Sequence, residues 1–459
     1  MTERPALARV LHIPERPAPL LRDRASRREL IGRLLIISCG AYVALRLTGG
    51  IEGTLLRALL VVALWELLHH RISQAFRAMT FVAGPFVIAL ITSAWAVALL
   101  AVCTFLAPQL GFDRSSVFAV GVATFVAGGS WDTFVRRAAT APARVLVVGG
   151  GLAVASFVAQ IDEANVRLQV VGVVDDVIDP AVRAGSPFTA PLRDLSDTVR
   201  SLSPDLVVIA VQRGRPEVFG QLLQVADSGF QVAGLPEIYE FTFGRLPIEE
   251  LTPAWFMSVL HAYNRPVSRL GKRLFDVVLA LFGTVLALVL VPIIVVVVKR
   301  TPGPLLYRQR RLGEHGRPFT MLKFRSMRTD AEAAGARWAA KDDDRIIPGG
   351  RLLRLLRLDE LPQLWNVLRG EMSIVGPRPE RPEFLEYLSS EVPFWSQRHL
   401  LKPGITGWAQ IRSSYAADAM ATVEKLSYDL WYLRHRSVLL DALICVQTLP
   451  RMATFRGAR

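Results

Sequence analysis

The sequence predicts an α/β membrane protein: a four-helix transmembrane bundle, a Rossmann-like parallel α/β domain, and a C-terminal α+β domain anchored by a re-entrant helix. Three observations predict it. Four apolar spans with arginine-rich flanks occupy residues 29–137. Short buried-strand patterns alternate with helical ones over residues 143–251. A fifth apolar segment, residues 272–298, contains Pro292 and leads into basic strands punctuated by turns.

Composition bounds the class. A chain of 459 residues has the length of two or three domains. Its 51% hydrophobic content, mean hydropathy of +0.33 and net charge of +14 combine apolar spans with basic flanks. That combination suits a membrane protein with surfaces for anionic lipid or phosphate. No RNA-binding aromatic signature, zinc spacing or basic zipper is present, so nucleic acid is not an expected partner. Cys39, Cys103 and Cys445 lie far apart in apolar surroundings and read as packed thiols without a disulfide framework.

Residues 1–28 form a basic, proline-rich tail that lacks the apolar core of a secretory signal. The four spans then run from about Leu30 to Leu47, Thr54 to Leu68, Phe81 to Ala107, and Val117 to Val135. A crossing helix needs roughly 20 apolar residues, so the second, interrupted by Glu66, is the weakest. Arg24, Arg27 and Arg28 precede the first span, Arg71 and Arg77 follow the second, and Arg136, Arg137 and Arg144 follow the fourth. This asymmetry predicts an even number of crossings with both ends cytoplasmic. Trp65, Glu66, His69 and His70 cluster at a span end and read as an interfacial anchor rather than a proton path.

From Ala143 the run ARVLVVGGG is a buried strand entering a glycine turn, and LQVVGVVDD, PDLVVIAV and FQVAGL supply further strands. The alternation implies a parallel, Rossmann-type sheet, of the CoA-binding kind, over 143–251. Gly149, Gly150, Gly151 and Asp175 are weak nucleotide candidates, because Ala153 and Val154 break the G-x-G-x-x-G spacing. A linker, residues 252–268, leads to the fifth apolar segment. Pro292 removes a helix hydrogen bond there, and basic residues flank both ends (Lys272, Arg273, Lys299, Arg300), so the segment is expected to bend and return to its own side.

The stretch RLLRLLRLDELPQLWNVLRGEMSIVGPRP, Arg351 to Pro379, concentrates the chemistry. Pro362 disfavours helical geometry at Leu361 and suits a first turn, which places Asp359 and Glu360 just ahead of a new helix that Gly370 terminates. A helix start favours anions, and adjacent carboxylates repel unless a cation intervenes. Mg²⁺ held by carboxylate and substrate phosphate is the expected cofactor. The alternative at this point is that Asp359 is a helix cap and Glu360 a solvated neighbour. Upstream, Arg308, Gln309, Lys323 and Arg325 interleave with Phe319, Phe324 and glycine turns, an arrangement expected to point several of them into one pocket. The C-terminal run ATVEKLSYDLWYLRHRSVLLDALICVQTLPRM reads as an amphipathic helical tail whose Tyr428, Trp431 and Tyr432 face either the membrane interface or a core.

The segments TPGPLLYRQRRLG, PFTMLKFRSM, LRLDELPQLWNVLRGEMSIVGPRPE and KPGITGWAQI resemble, in order and spacing, the bacterial polyprenyl-phosphate glycosyl-1-phosphate transferases. These are monotopic phosphoglycosyl transferases that initiate exopolysaccharide assembly. The strong part of the resemblance is residues 269–459, the implied catalytic domain; the upstream layout is similar to the long form of the family. The resemblance implies Asp359 as nucleophile on a UDP-sugar, UDP-glucose or UDP-galactose being the common choice of long members, with UMP as product, and Glu360 as the Mg²⁺ ligand. It implies undecaprenyl phosphate as acceptor, Arg354 as a phosphate clamp and Arg378 as a further donor. Arg308, Gln309, Lys323, Arg325, Arg345 and Gln363 complete the substrate-binding candidates, and Pro292 is the membrane hinge. The implied setting is the cytoplasmic face of the bacterial inner membrane, with downstream glycosyltransferases as partners and homo-oligomers permitted. Three departures stand out: Val291 before the hinge proline, Thr301 before the Pro-Gly-Pro turn, and IRSSYAAD after Gln410. Rival readings are a membrane nucleotide-sugar dehydratase or epimerase, which would need a Tyr-x-x-x-Lys pair that does not appear, and a noncatalytic membrane ligand sensor.

Overall fold

A computed structural model describes residues 27–49, 54–76, 85–106, 112–138, 142–163, 168–210, 216–248, 251, 266–331, 344–413 and 419–453. The basic tail before Arg27, most of the linker and the loop after Ser413 therefore lie outside the described residues. The chain forms two compact units, Met1–Gly244 and Arg245–Arg459.

The first unit opens with helices α1 (Arg27–Gly49), α2 (Thr54–Phe76), α3 (Pro85–Leu106) and α4 (Arg114–Ala138). Each packs against the next, and α4 closes the ring on α1. Close approach is set by glycine: a Cβ at Gly128 would come within 2.5 Å of the Trp65 ring. In this bundle α1, α3 and α4 are long and apolar enough to cross a membrane, whereas α2 is not. Trp65, Glu66 and His69 of α2 nevertheless turn toward neighbouring helices, whereas His70 and Arg71 are exposed. Arg33 of α1 binds Glu66 through two hydrogen bonds of 2.9 and 3.1 Å, and lies 3.5 Å from Asp132 of α4. His69 is buried, 3.3 Å from the same Asp132, and Trp65 donates to Ser93. The interfacial-anchor expectation is thus corrected for Trp65, Glu66 and His69, which have partners on neighbouring helices. Leu55, Leu56, Leu59 and Leu67 take the outer face instead. Cys39 and Cys103 are also exposed on helix surfaces rather than packed, with Cys445 partly buried.

The same unit continues with β1 (Ala143–Val148), α5 (Leu152–Glu163), β2 (Leu168–Val174), α6 (Pro180–Gly185), β3 (Thr189–Ala190), α7 (Leu195–Leu202), β4 (Leu206–Ile209), α8 (Pro216–Gln224), β5 (Gln231–Gly234) and α9 (Leu235–Phe243). The strands form one parallel sheet in the order β3-β2-β1-β4-β5. Both faces are covered, as parallel sheets require. Val145 and Val147 pack with Phe157 and Ile238 on one side, while Leu146 and Val148 pack with Leu195 and Val218 on the other. The two-residue β3 is too short to leave a periodic signal in the sequence.

The second unit is built along α10 (Pro266–Lys299), which is continuous through Pro292. The expected hinge is therefore not a break in secondary structure. After it come β6 (Leu306–Leu312), β7 (Pro318–Phe324), α11 (Gly350–Leu355), α12 (Gln363–Arg369), β8 (Ser373–Val375), α13 (Leu385–Glu391), β9 (Gly404–Thr406), α14 (Trp408–Arg412), α15 (Ala419–His435) and α16 (Val438–Ala453). Helix α10, about 51 Å long at 1.5 Å per residue, is apolar enough to cross a membrane. Both of its ends are fastened to the same unit. Near its start, Arg273 donates to the carbonyls of Val367 and Leu368 at 2.7 Å each, and Asp276 accepts from Ser373 and Ile374. Near its end, Ile294 and Val298 pack with Phe324 and Leu353. The opposite face exposes Leu274, Val278, Phe282, Val285, Val289 and Ile293. The C-terminal tail is two helices, and Tyr428, Trp431 and Tyr432 are buried, with Trp431 stacked on Trp408. Of the two faces open to that stripe, it takes the core.

Candidate active site

The site begins at a backbone irregularity. Helix α11 ends, and Arg357 adopts the left-handed conformation (φ 54°, ψ 24°), uncommon for a residue with a Cβ. A 3₁₀ turn, Leu358–Glu360, follows and runs into α12 through Leu361 and Pro362, both right-handed helical. The expectation that Pro362 disfavours helical geometry at Leu361 is therefore corrected: the discontinuity lies four residues earlier than Leu361, at Arg357. Gly370 ends α12 in the left-handed conformation (φ 82°), as the sequence predicts. Asp359 does not cap α12, whose N-cap is Pro362.

Asp359 and Glu360 are both buried, 8% and 7% exposed. Three cations converge on Glu360. Lys323 Nζ, from β7, lies 3.1 Å from Oε1, Arg357 Nη1 3.5 Å from Oε2, and Arg378 Nη2 3.6 Å from Oε1. Burial alone would raise the Glu360 carboxyl, but Lys323, Arg378 and Arg357 outweigh it and hold it at about 2. Burial, and then the neighbouring Glu360, push Asp359 the other way, to about 6, against the pull of Lys323 and Arg354. Adjacent acids with opposite shifts divide the work: one is fixed as an anion, the other titrates close to neutrality.

The loop carrying Arg378 is held from several directions. Arg311 Nη1 donates to the Pro379 carbonyl at 3.1 Å while its other nitrogens donate to Gln309. Arg398 donates to the Arg378 carbonyl at 3.1 Å and pairs with buried Asp429 at 2.7 Å. Gly376 lies so close to the Lys402 carbonyl that a Cβ would stand 2.2 Å from it. Arg398 and Asp429 were not singled out from the sequence. Their partners lie far along the chain, so no local pattern marks them.

The remaining candidates separate. Gln309 and Lys323 share one face of the β6–β7 hairpin, whereas Arg308, opposite Leu322, lies on the other. The register thus divides the hairpin candidates between two faces. Arg325 is buried and donates to the carbonyls of Val298, Thr301, Pro302 and Pro304, so it fastens the end of α10 rather than facing the dyad. Arg345 donates to the Ala331 carbonyl, beside residues outside the described set. Gln363 is buried at the start of α12, and Pro292 lies within α10. In the first unit, Gly150 N–H donates to Asp175 Oδ2 at 2.8 Å, and a Cβ at Gly150 would stand 2.5 Å from the Val177 carbonyl. Gly149 has φ 132°, and Gly151 is open. The glycine turn is thus packed at Gly150 against the protein's own Asp175 and Val177 and open at Gly151.

Among the described residues no three His, Cys, Asp or Glu side chains group as a metal cage. Mg²⁺ takes one or two carboxylates and completes its shell with substrate phosphate and water, so the dyad's oxygen donors suit it in kind.

The bacterial sugar transferase family model matches residues 267–455. A UDP-N-acetylgalactosamine-undecaprenyl-phosphate N-acetylgalactosaminephosphotransferase of Aeromonas hydrophila is 38% identical over 239 residues, 52% of this chain and 56% of that protein. A UDP-glucose:undecaprenyl-phosphate glucose-1-phosphate transferase of Xanthomonas campestris pv. campestris is 35% identical over 300 residues, 62% of this chain and 61% of that protein. The enzyme of that name from Caulobacter vibrioides is 38% identical over 192 residues, 41% of this chain and 72% of that protein. The chain thus spans somewhat more than half the length of the Aeromonas and Xanthomonas relatives. With the match centred on the unit that carries α10, the dyad and its cations, the chain belongs to the bacterial sugar transferase family.

Proposed function

We propose that this protein transfers a sugar 1-phosphate from a UDP-sugar to undecaprenyl phosphate at the cytoplasmic face of the inner membrane, as a first membrane step of polysaccharide synthesis. The observation that carries the proposal is the dyad: a buried Asp359 raised toward neutrality beside a Glu360 held ionised by three cations. An Asp359 oxygen attacks the phosphorus that bears the sugar. The bond from that phosphorus to the bridging oxygen breaks, and UMP leaves with the electron pair. An oxygen of undecaprenyl phosphate then attacks the aspartyl phosphosugar, forming the lipid diphosphate sugar and regenerating Asp359.

Lys323, Arg357 and Arg378 stand where the diphosphate charge must be met, and Arg354 acts on Asp359 itself. When bound, Mg²⁺ would neutralise the diphosphate and would be held by Glu360 and the substrate phosphates. The fastening of both α10 ends to one unit, with an apolar outer face between them, supports a re-entrant or surface-embedded helix over a crossing one. On this reading the dyad faces the cytoplasm next to an embedded acceptor. The dehydratase reading is disfavoured by the lack of a Tyr-x-x-x-Lys pair in the C-terminal half.

Glucose is the donor sugar to test first, since the Xanthomonas and Caulobacter relatives carry it in their names; the Aeromonas relative names N-acetylgalactosamine. The test is UMP release by purified protein with undecaprenyl phosphate, Mg²⁺ and a panel of UDP-sugars. Release should depend on lipid, cease with EDTA, and fall at least about a thousandfold in Asp359→Asn. Undiminished release by Asp359→Asn would sink the nucleophile assignment, and no release with any donor would favour the sensor.

A further inference from the structure

The β6–β7 hairpin has a second basic face that the dyad does not use. Arg308 lies opposite Leu322 and Arg310 opposite Thr320, on the face away from Lys323. Both arginines are exposed. A cavity of about 620 Å³ opens there, with Leu306, Leu322, Pro362 and Trp365 as apolar walls and Arg308 and Arg369 as its charged groups. The Arg369 guanidinium lies 5.4 Å over the Trp365 ring, which is itself 52% exposed. Among the described residues no carboxylate pairs with Arg308, Arg310 or Arg369. The contrast with the dyad face is sharp, since Lys323, Arg357 and Arg378 all meet Glu360.

The cavity is tied to α10 at two levels. Leu364, the neighbour of Trp365, packs on Gly283, where a Cβ would stand 3.3 Å from its side chain. Leu306 packs with Ile294 and Val298. Leu286 and Val289 lie between these levels, and they and the adjoining Phe282 are exposed. An unneutralised arginine pair, a half-exposed tryptophan and an adjoining apolar helix face complement one ligand class: a phosphate head joined to hydrocarbon chains.

We infer that this cavity binds the headgroup of an anionic phospholipid, with Arg308 and Arg369 on its phosphate and its acyl chains along the exposed face of α10. The inference rests on the reading that α10 is embedded in the membrane. The site is separate from the dyad, so a resident phospholipid there would hold the second unit against the bilayer without competing for the position of the acceptor phosphate.

The test is native mass spectrometry of the full-length protein released from bilayer discs containing phosphatidylglycerol and phosphatidylcholine. Retained phosphatidylglycerol should fall about fivefold for each arginine removed in Arg308→Gln and Arg369→Gln, with retained phosphatidylcholine unchanged. Arg308→Lys with Arg369→Lys, which keeps the charge, should restore retention. The exposed pair Arg193→Gln and Arg200→Gln is the control and should behave as wild type. Wild-type phosphatidylglycerol retention by the double glutamine variant would overturn the inference, as would equal loss of both lipids. Displacement of phosphatidylglycerol by millimolar inorganic phosphate or UMP would overturn it too, by making the cavity a soluble-phosphate site. Retention is read without turnover, so absence of UMP release by wild type would defeat the transferase reading and leave this result standing.

Discussion

Asp359 and Glu360 are chemically similar neighbours that their surroundings make different. The sequence shows the pair and its place before a helix, because Pro362 and Gly370 are local signals. It does not show which acid meets the cations, because Lys323 reaches Glu360 from 37 residues away. Nor does it show the left-handed Arg357, whose conformation costs roughly 1–2 kcal/mol and aims the guanidinium at Glu360. The shifts carry a pH prediction. A nucleophilic Asp359 must be ionised, and its carboxyl is raised to about 6. Turnover should therefore fall below about pH 6, about tenfold per unit. Lys323 lowers both carboxyls, so Lys323→Met should move this acidic limb to higher pH as well as slow the reaction. A pH–rate profile of single-turnover UMP release measures both, and an unmoved limb in Lys323→Met would separate Lys323 from the dyad's electrostatics.

At the level of elements, strand register sorts residues that composition cannot. Arg308, Gln309, Arg310, Arg311 and Lys323 look alike in the sequence, yet the hairpin sends Gln309, Arg311 and Lys323 to one face and Arg308 and Arg310 to the other. Arg325 follows the hairpin and turns back to the helix end. Its guanidinium donates to four carbonyls at and just beyond the end of α10, those of Val298, Thr301, Pro302 and Pro304. The same blindness affects α2. Glu66 and His69 look like residues of a span end until α1 and α4 bring Arg33 and Asp132 to them. Arg325→Ala should accordingly cost stability, on the order of 3 kcal/mol for stranded buried carbonyls. Arg325→Lys should not rescue it, since a single ammonium cannot span the same fork. Arg378→Ala, at a side chain 42% exposed, should instead leave the unfolding temperature near wild type and reduce UMP release. Thermal unfolding in detergent alongside the release assay distinguishes the two; equal stability of all three variants would return Arg325 to the list of substrate contacts.

For the whole molecule, the alternation of strands and helices made the Rossmann-like sheet legible, whereas its use was not: Asp175 sits where a ribose-binding acid would, but binds Gly150 of its own turn. The chain also divides in a way that bears on function. Lys323, Arg354, Arg357, Asp359, Glu360, Arg378, Arg398 and the whole of α10 belong to the unit Arg245–Arg459. The family match falls within that unit as well. Its helices, hairpin and short β8–β9 pair supply a core of their own, including Trp408, Trp431 and Tyr432. If the first unit takes no part in chemistry, residues 245–459 alone, reconstituted with undecaprenyl phosphate, should release UMP within about tenfold of the full chain, a difference of about 1.4 kcal/mol. The dependence on Mg²⁺ and on Asp359 should be unchanged. A folded fragment with release reduced far beyond that, and restored by adding residues 1–244 in trans, would assign the bundle or the Rossmann-like domain a direct part in turnover. Circular dichroism and size-exclusion chromatography of the fragment separate that outcome from simple unfolding, because a core intact in the absence of the first unit leaves only its catalytic contribution to explain the loss.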